Sequence, residues 1–237
     1  MKHKIIFGKG NRTENQDDLY PKKLDQKSKT FVVCDGVGGS PYGKQAAQIT
    51  SEAVHTYIKT TQDYSVNGIN KAIAYAEEGL ESFKDQYHDA KNMSTTLGVL
   101  IFHQEIAIGA WIGDSRIYHI RDKEILYKSQ DHSLGKMLVS RGLISETSVK
   151  YFPHKNIITR GVTGKTNHVE ADNVKITDLQ SGDYFMVCTD GFHNTLKRNL
   201  IDLFYPTQDI SHLSKELKKA CLINSSDNYA CHLIKIP

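Results

Sequence analysis

The chain has 237 residues, 39% of them hydrophobic and 24% charged, with 30 Lys and Arg against 27 Asp and Glu for a net charge of +3. That is an ordinary globular composition, long enough to bury one sizeable core. It excludes a polyelectrolyte field aimed at nucleic acid or a membrane surface.

In chain order, short runs of branched and aromatic residues predict strands at 4–8 and 30–35. Two longer segments then show apolar spacing of helical period. Over 43–60, Ala46, Ala47, Ile49, Thr50, Ala53, Val54 and Tyr57 lie near one stripe; over 66–86, Ile69, Ile73, Ala76, Leu80 and Phe83 do the same. Strands follow at 95–102, 105–112 and 116–121, and the 105–121 region reads as an antiparallel meander. A short helix is expected at 133–141, strands at 169–176 and 183–189, helices at 195–205 and 210–222, and a last strand at 229–236. Strands and helices come in blocks without βαβ alternation, which predicts an α+β fold with antiparallel sheets.

Cys34, Cys188, Cys221 and Cys231 form no Cys-x-x-Cys pair and have no zinc-ligand spacing, as expected of reduced thiols in a cytoplasmic protein. No run approaches the roughly 18 apolar residues of a membrane span, and the N-terminus lacks a signal-peptide core. A soluble protein working without nucleic acid or membrane is expected.

Two segments share a design. Phe31, Val32, Val33 and Cys34 lead into Asp35-Gly36, and Phe185, Met186, Val187, Cys188 and Thr189 lead into Asp190-Gly191. Each is a buried-looking strand ending on a carboxylate, with a glycine that permits a sharp turn. Asp227-Asn228 precedes the last strand, and Asp17-Asp18 follows the first. Any one such dipeptide is most simply a turn. Carboxylates at strand ends on one rim of a sheet can, however, converge on a hard cation, because Mg²⁺ and Mn²⁺ favour oxygen ligands. Gly36, Gly38 and Gly39 suggest a backbone approach to phosphate, yet no Gly-Lys-Ser/Thr follows and Pro41 breaks the dinucleotide spacing. Arg12 stands five residues before Asp17, where a guanidinium could grip a phosphate bidentately. His132, His154 and His193 read as structural or flap residues, and Trp111 as core.

These pieces, in order, resemble the PPM (PP2C-type) serine/threonine phosphatases, bacterial members in particular. The resemblance rests on Arg12 with Asn15, Gln16 and Asp17; on Asp35, Gly36, Gly38, Gly39 and Gly43; and on Ser94, Thr95 and Thr96. It continues through Gly113, Asp114, Ser115 and Arg116; Asp131, His132 and Ser133; Asn156, Thr159, Arg160 and Gly164; Thr189, Asp190 and Gly191; and Ser226, Asp227 and Asn228.

The resemblance implies an αββα sandwich, two antiparallel sheets flanked by helices, as a single domain over 1–237 with a flap at about 134–154. It implies two divalent ions, Mn²⁺ or Mg²⁺: Asp35 would bridge them, the Gly36 carbonyl would be a ligand of one, Asp190 and Asp227 would hold one, and Asp17 would contact the other, partly through water. Asp114 would serve a third, weaker ion, and Arg12 would clamp the phosphate. The implied activity is hydrolysis of phosphoserine and phosphothreonine in proteins by metal-activated water, opposing a cognate Ser/Thr kinase, in a cytoplasmic monomer.

Three departures stand out. Val37 replaces a histidine of some relatives, Gln16 a carboxylate, and Asn194 a further aspartate that serves the third ion. A phosphoprotein-binding module that lost the reaction, and a two-metal nuclease, are the competing classes. The retained set of Arg12, Asp17, Asp35, Asp190 and Asp227 speaks against the first, and the lack of a basic track against the second.

Overall fold

The computed structural model describes residues 1–37, 42–164, 168–196, 200–204 and 209–237. Among these, ten strands form two five-stranded antiparallel sheets. One sheet has the order β1 (Lys2–Gly8), β10 (Tyr229–Lys235), β9 (Tyr184–Cys188), β6 (Arg116–Arg121) and β7 (Glu124–Lys128). The other has β2 (Asp17–Tyr20), β3 (Thr30–Asp35), β4 (Leu97–His103), β5 (Ile106–Ile112) and β8 (Asp172–Ile176).

Helices α1 (Gly43–Thr61) and α2 (Val66–Gln86) pack outside the second sheet, and α4 (Asp190–Leu196) and α5 (Ile210–Asn224) outside the first. The short α3 (Leu134–Ser140) follows β7 in the chain, and Ser133 just before it forms a bridge with Ile158. This is the expected αββα arrangement.

Strand alternation builds its three apolar layers. On β3, Val32 and Cys34 pack with α1 and α2 while Phe31 and Val33 pack between the sheets. On β9, Met186 and Cys188 pack with α4 and α5 while Phe185 and Val187 fill the middle. Sheets covered on both faces have continuous apolar strands, which is why these runs do not alternate with polar residues. On α1 the fully covered face is Ala46, Ala47, Thr50, Val54 and Ile58, with Ile49, Ala53 and Tyr57 at its margin. Ser65 caps α2 by accepting from the Gly68 amide at 3.0 Å. All four cysteines are buried and free, and Trp111 is buried as expected.

The structure corrects several expectations. Residues 105–121 are not a meander: β5 pairs with β4 and β8, β6 with β9 and β7, and the chain between them crosses from one sheet to the other. The helix expected at 195–205 begins instead at Asp190 and is described to Leu196, with a 3₁₀ turn at Asp202–Phe204; Tyr205 lies outside the described residues. The strand expected from 169 starts at Asp172. Strands β2 and β7 were not expected at all. No helix among the described residues is long and apolar enough to cross a membrane.

Candidate active site

Antiparallel pairing brings the chemistry to one end of the sandwich. β3 arrives there at Asp35 and its partner β2 departs with Asp17, the two residues being directly opposite in the ladder. β9 arrives just before Asp190, and its partner β10 departs just after Asp227. β5 arrives at Gly113 and β6 departs at Arg116, opposite Cys188. β1 arrives at Gly8, paired with Tyr229, shortly before Arg12. A cleft of about 390 Å³ lies among them, lined by Arg12, Asp35, Gly36, Asp114, Asp190 and Asp227, with Val37, Asn156 and Ile158 on its rim.

Close backbone packing fixes two of these corners. A Cβ on Gly36 would lie 2.2 Å from the Gly43 carbonyl oxygen, so the start of α1 presses directly on the end of β3. A Cβ on Gly191 would lie 1.9 Å from the Asn228 carbonyl oxygen, so α4 begins hard against the entry to β10. Gly38 and Gly39 lie outside the described residues.

Hydrogen bonds hold these aspartates, at the backbone for Asp35 and at the carboxylate for Asp17, Asp190 and Asp227. The Asp35 amide donates to Thr96 Oγ1 at 3.0 Å, and Thr95 Oγ1 donates to the Asp35 carbonyl at 2.8 Å. Thr189 Oγ1 donates to Asp17 Oδ2 at 2.7 Å. Asn194 Nδ2 donates to Asp190 Oδ2 at 3.2 Å, so the amide at this departure position supports Asp190. Arg12, exposed at the mouth, places Nη2 2.8 Å from Asp227 Oδ2. Asn228 accepts from the Gln16 amide and donates to the Lys9 and Glu14 carbonyls, which ties the Arg12 loop to β10. Asp18, next to Asp17, points away and pairs with Ser51 and Lys22.

The cluster is electrostatically frustrated. Burial, then Asp17, Asp190 and Asp114, pushes the Asp35 pKa well above the ordinary carboxylate range. Burial, then Asp227, raises Asp190. Burial raises Asp17 strongly, with Asp190 and Asp227 adding to it against the Thr189 hydrogen bond. Asp114 is lifted to about 7 by burial and then by Asp190 and Asp131.

The residues present fit divalent cations. Asp17 Oδ1 and Asp114 Oδ1 are buried and accept no hydrogen bond, and the donor set is all oxygen, which suits Mg²⁺ or Mn²⁺. Among the described residues no three acidic, His or Cys side chains close on one point as a ready-made cage. The carboxylates instead line an open wall, a form suited to ions that keep part of their water shell.

Sequence reasoning gave no role to Thr189, Thr95, Thr96 or Asn228, although each lay within a quoted motif. Side-chain support of a neighbour's carboxylate or backbone has no spacing of its own to read. The histidines divide: His132 Nδ1 accepts from the Gly113 amide at 3.1 Å, His193 is buried on α4, and His154 is exposed.

The chain matches the sequence profile described as Protein phosphatase 2C over residues 9–222. It is 30% identical over 201 residues to protein phosphatase PhpP of Streptococcus pneumoniae serotype 2, covering 83% of this chain and 80% of that one. The crystal structure of serine/threonine phosphatase Stp1 from Staphylococcus aureus superposes with a TM-score of 0.86 at 24% identity, covering 100% of this chain and 96% of the other. The catalytic domain of serine/threonine protein phosphatase PstP, solved in complex with two manganese ions, superposes with a TM-score of 0.81 at 20% identity, covering 100% and 98%.

Proposed function

The chain belongs to the protein phosphatase 2C family and is a protein serine/threonine phosphatase, and from that premise we propose that it works at a dinuclear divalent-metal centre in the carboxylate-lined cleft. The observation that carries this reading is the convergence of Asp17, Asp35, Asp190 and Asp227 at one end of the sandwich, with an unpartnered oxygen on Asp17 and pKa values raised at Asp17, Asp35 and Asp190 by burial and by the neighbouring carboxylates. Asp35 would contribute to both ions, Asp190 and Asp227 would hold one, Asp17 would contact the other, and the Gly36 carbonyl would be a ligand of one. Asp114 would hold a third, weaker ion. Bound Mn²⁺ or Mg²⁺ supplies Lewis-acid activation of water and offsets charge on the phosphate.

The protein's own groups bind and orient. Arg12 transfers its guanidinium from Asp227 to the phosphate oxygens, where its planar fork suits bidentate contact. Thr95 and Thr96 fix Asp35 from its backbone, and Thr189 fixes Asp17, so the carboxylates keep their aim when substrate binds. Val37 offers no proton to the departing serine or threonine oxygen, which leaves that proton to water. No side chain forms a covalent intermediate in this scheme. The substrates are phosphoproteins, and the counterpart is a Ser/Thr kinase of the same cytoplasm. Residues 1–237 act as one catalytic domain, with 134–154 as a flap beside the cleft.

Asp35→Asn tests the reading. It keeps the fold and size of the side chain while removing the shared charge, and turnover of a phosphothreonine peptide should fall by at least about a hundredfold. Turnover at the parent rate would remove Asp35 from the centre.

A further inference from the structure

The residues that cross between the sheets, Gly113 to Ser115, and Arg116 at the start of β6 are each gripped by a neighbouring segment. The Gly113 amide donates to His132 Nδ1 at 3.1 Å, and its carbonyl accepts from the His132 amide at 2.8 Å. Ser115 Oγ lies 2.7 Å from Thr96 Oγ1, the same hydroxyl that receives the Asp35 amide. Arg116 makes two hydrogen bonds to Asp131, at 2.7 and 2.6 Å. Asp114 is gripped through its backbone: its carbonyl lies 3.0 Å from His193 Nε2.

We propose that His193 is a positioning residue, which sets the aim of the Asp114 carboxylate at the weaker cation site by holding the Asp114 carbonyl against α4. The inference rests on the reading of Asp114 as a metal ligand, and it goes beyond the structural role that sequence alone gave His193. Three observations carry it. A carbonyl can only accept, so the ring nitrogen facing it carries a proton, and His193 donates from Nε2–H. The ring is 5% exposed and its Nδ1 has no partner, so no competing bond can draw it away from Asp114. His193 also lies three residues beyond Asp190 on the same short helix, so one rigid element carries Asp190 and sets Asp114. Ligand orientation by a neighbouring hydrogen bond commonly governs metal affinity.

The test is Mn²⁺ binding, counted by electron paramagnetic resonance without substrate, for the parent, His193→Leu, His193→Gln and Asp114→Asn. His193→Leu should weaken the weakest class of bound Mn²⁺ by about tenfold, the lower end of the range for such supporting groups, and leave the tight class unchanged. His193→Gln, whose amide can still donate, should recover most of that loss. Parent-like binding by His193→Leu, while Asp114→Asn loses the weak class, would overturn the role of His193 alone. Unchanged binding by Asp114→Asn would remove the premise that Asp114 is a ligand, and the proposal with it. Nitrogen NMR of the histidine-labelled parent covers a variant that fails to fold: an Nε2–H ring at His193 is required, and an Nδ1–H ring would overturn the assignment.

Discussion

Asp114 shows how neighbours alter a single residue. Burial, and then Asp190 and Asp131, raise its pKa to about 7 from the ordinary 3.8. The folded state therefore holds a proton that the unfolded state has released between those values, and stability falls as pH rises through that window. Above about 7 the side chain is charged in both states and the full cost remains. Asp114→Asn should therefore raise the Tm of metal-free protein at pH 8 by about 4 °C or more, at the 2–4 °C per kcal/mol of a chain this long. The gain should shrink as pH falls through 7 towards 4. A gain that stays constant across this range would show that charge is not its source. At the same scale, Asp35 and Asp190 were legible because each ends a continuous apolar run. Asp17 was separable from Asp18 only by resemblance, since the ladder register that faces Asp17 towards Asp35 has no local signal.

At the scale of elements, the turn at Asp190-Gly191 misled the reading of the sequence. Asp-Gly after a strand suggests a loop, yet here it opens α4, and the glycine is required because Asn228 packs against it. Gly191→Ala should cost about 3 kcal/mol or more, as strain-bearing substitutions do, lowering Tm by roughly 6 °C or more. It should also loosen Mn²⁺ binding, because it separates the segments that carry Asp190 and Asp227. Parent-like Tm and Mn²⁺ affinity would mean that the two segments are not in contact as described. The crossing at 113–116 was illegible for a related reason: strand periodicity is the same whether the next strand joins its own sheet or the facing one. β2 escaped notice because it is only Asp17–Tyr20, and half of it is aspartate. β7 escaped because charged Glu124 and Lys128 flank three residues on a sheet edge.

At the scale of the molecule, layering explains what was readable. The blocks of strands and helices, and the apolar stripes of α1 and α2, follow from burying each sheet on both faces, and those patterns survive in the sequence. The packing of one sheet on the other and the assembly of the cleft depend on register and on close backbone contacts between distant segments. The central claim is that the carboxylate cleft hydrolyses phosphoprotein esters only with divalent cations in it. The direct measurement is phosphate release from a phosphothreonine peptide by folded protein, in Mn²⁺ and again in EDTA. The account predicts turnover in Mn²⁺, its loss in EDTA and its return when Mn²⁺ or Mg²⁺ is restored. Release at the same rate in EDTA would contradict it.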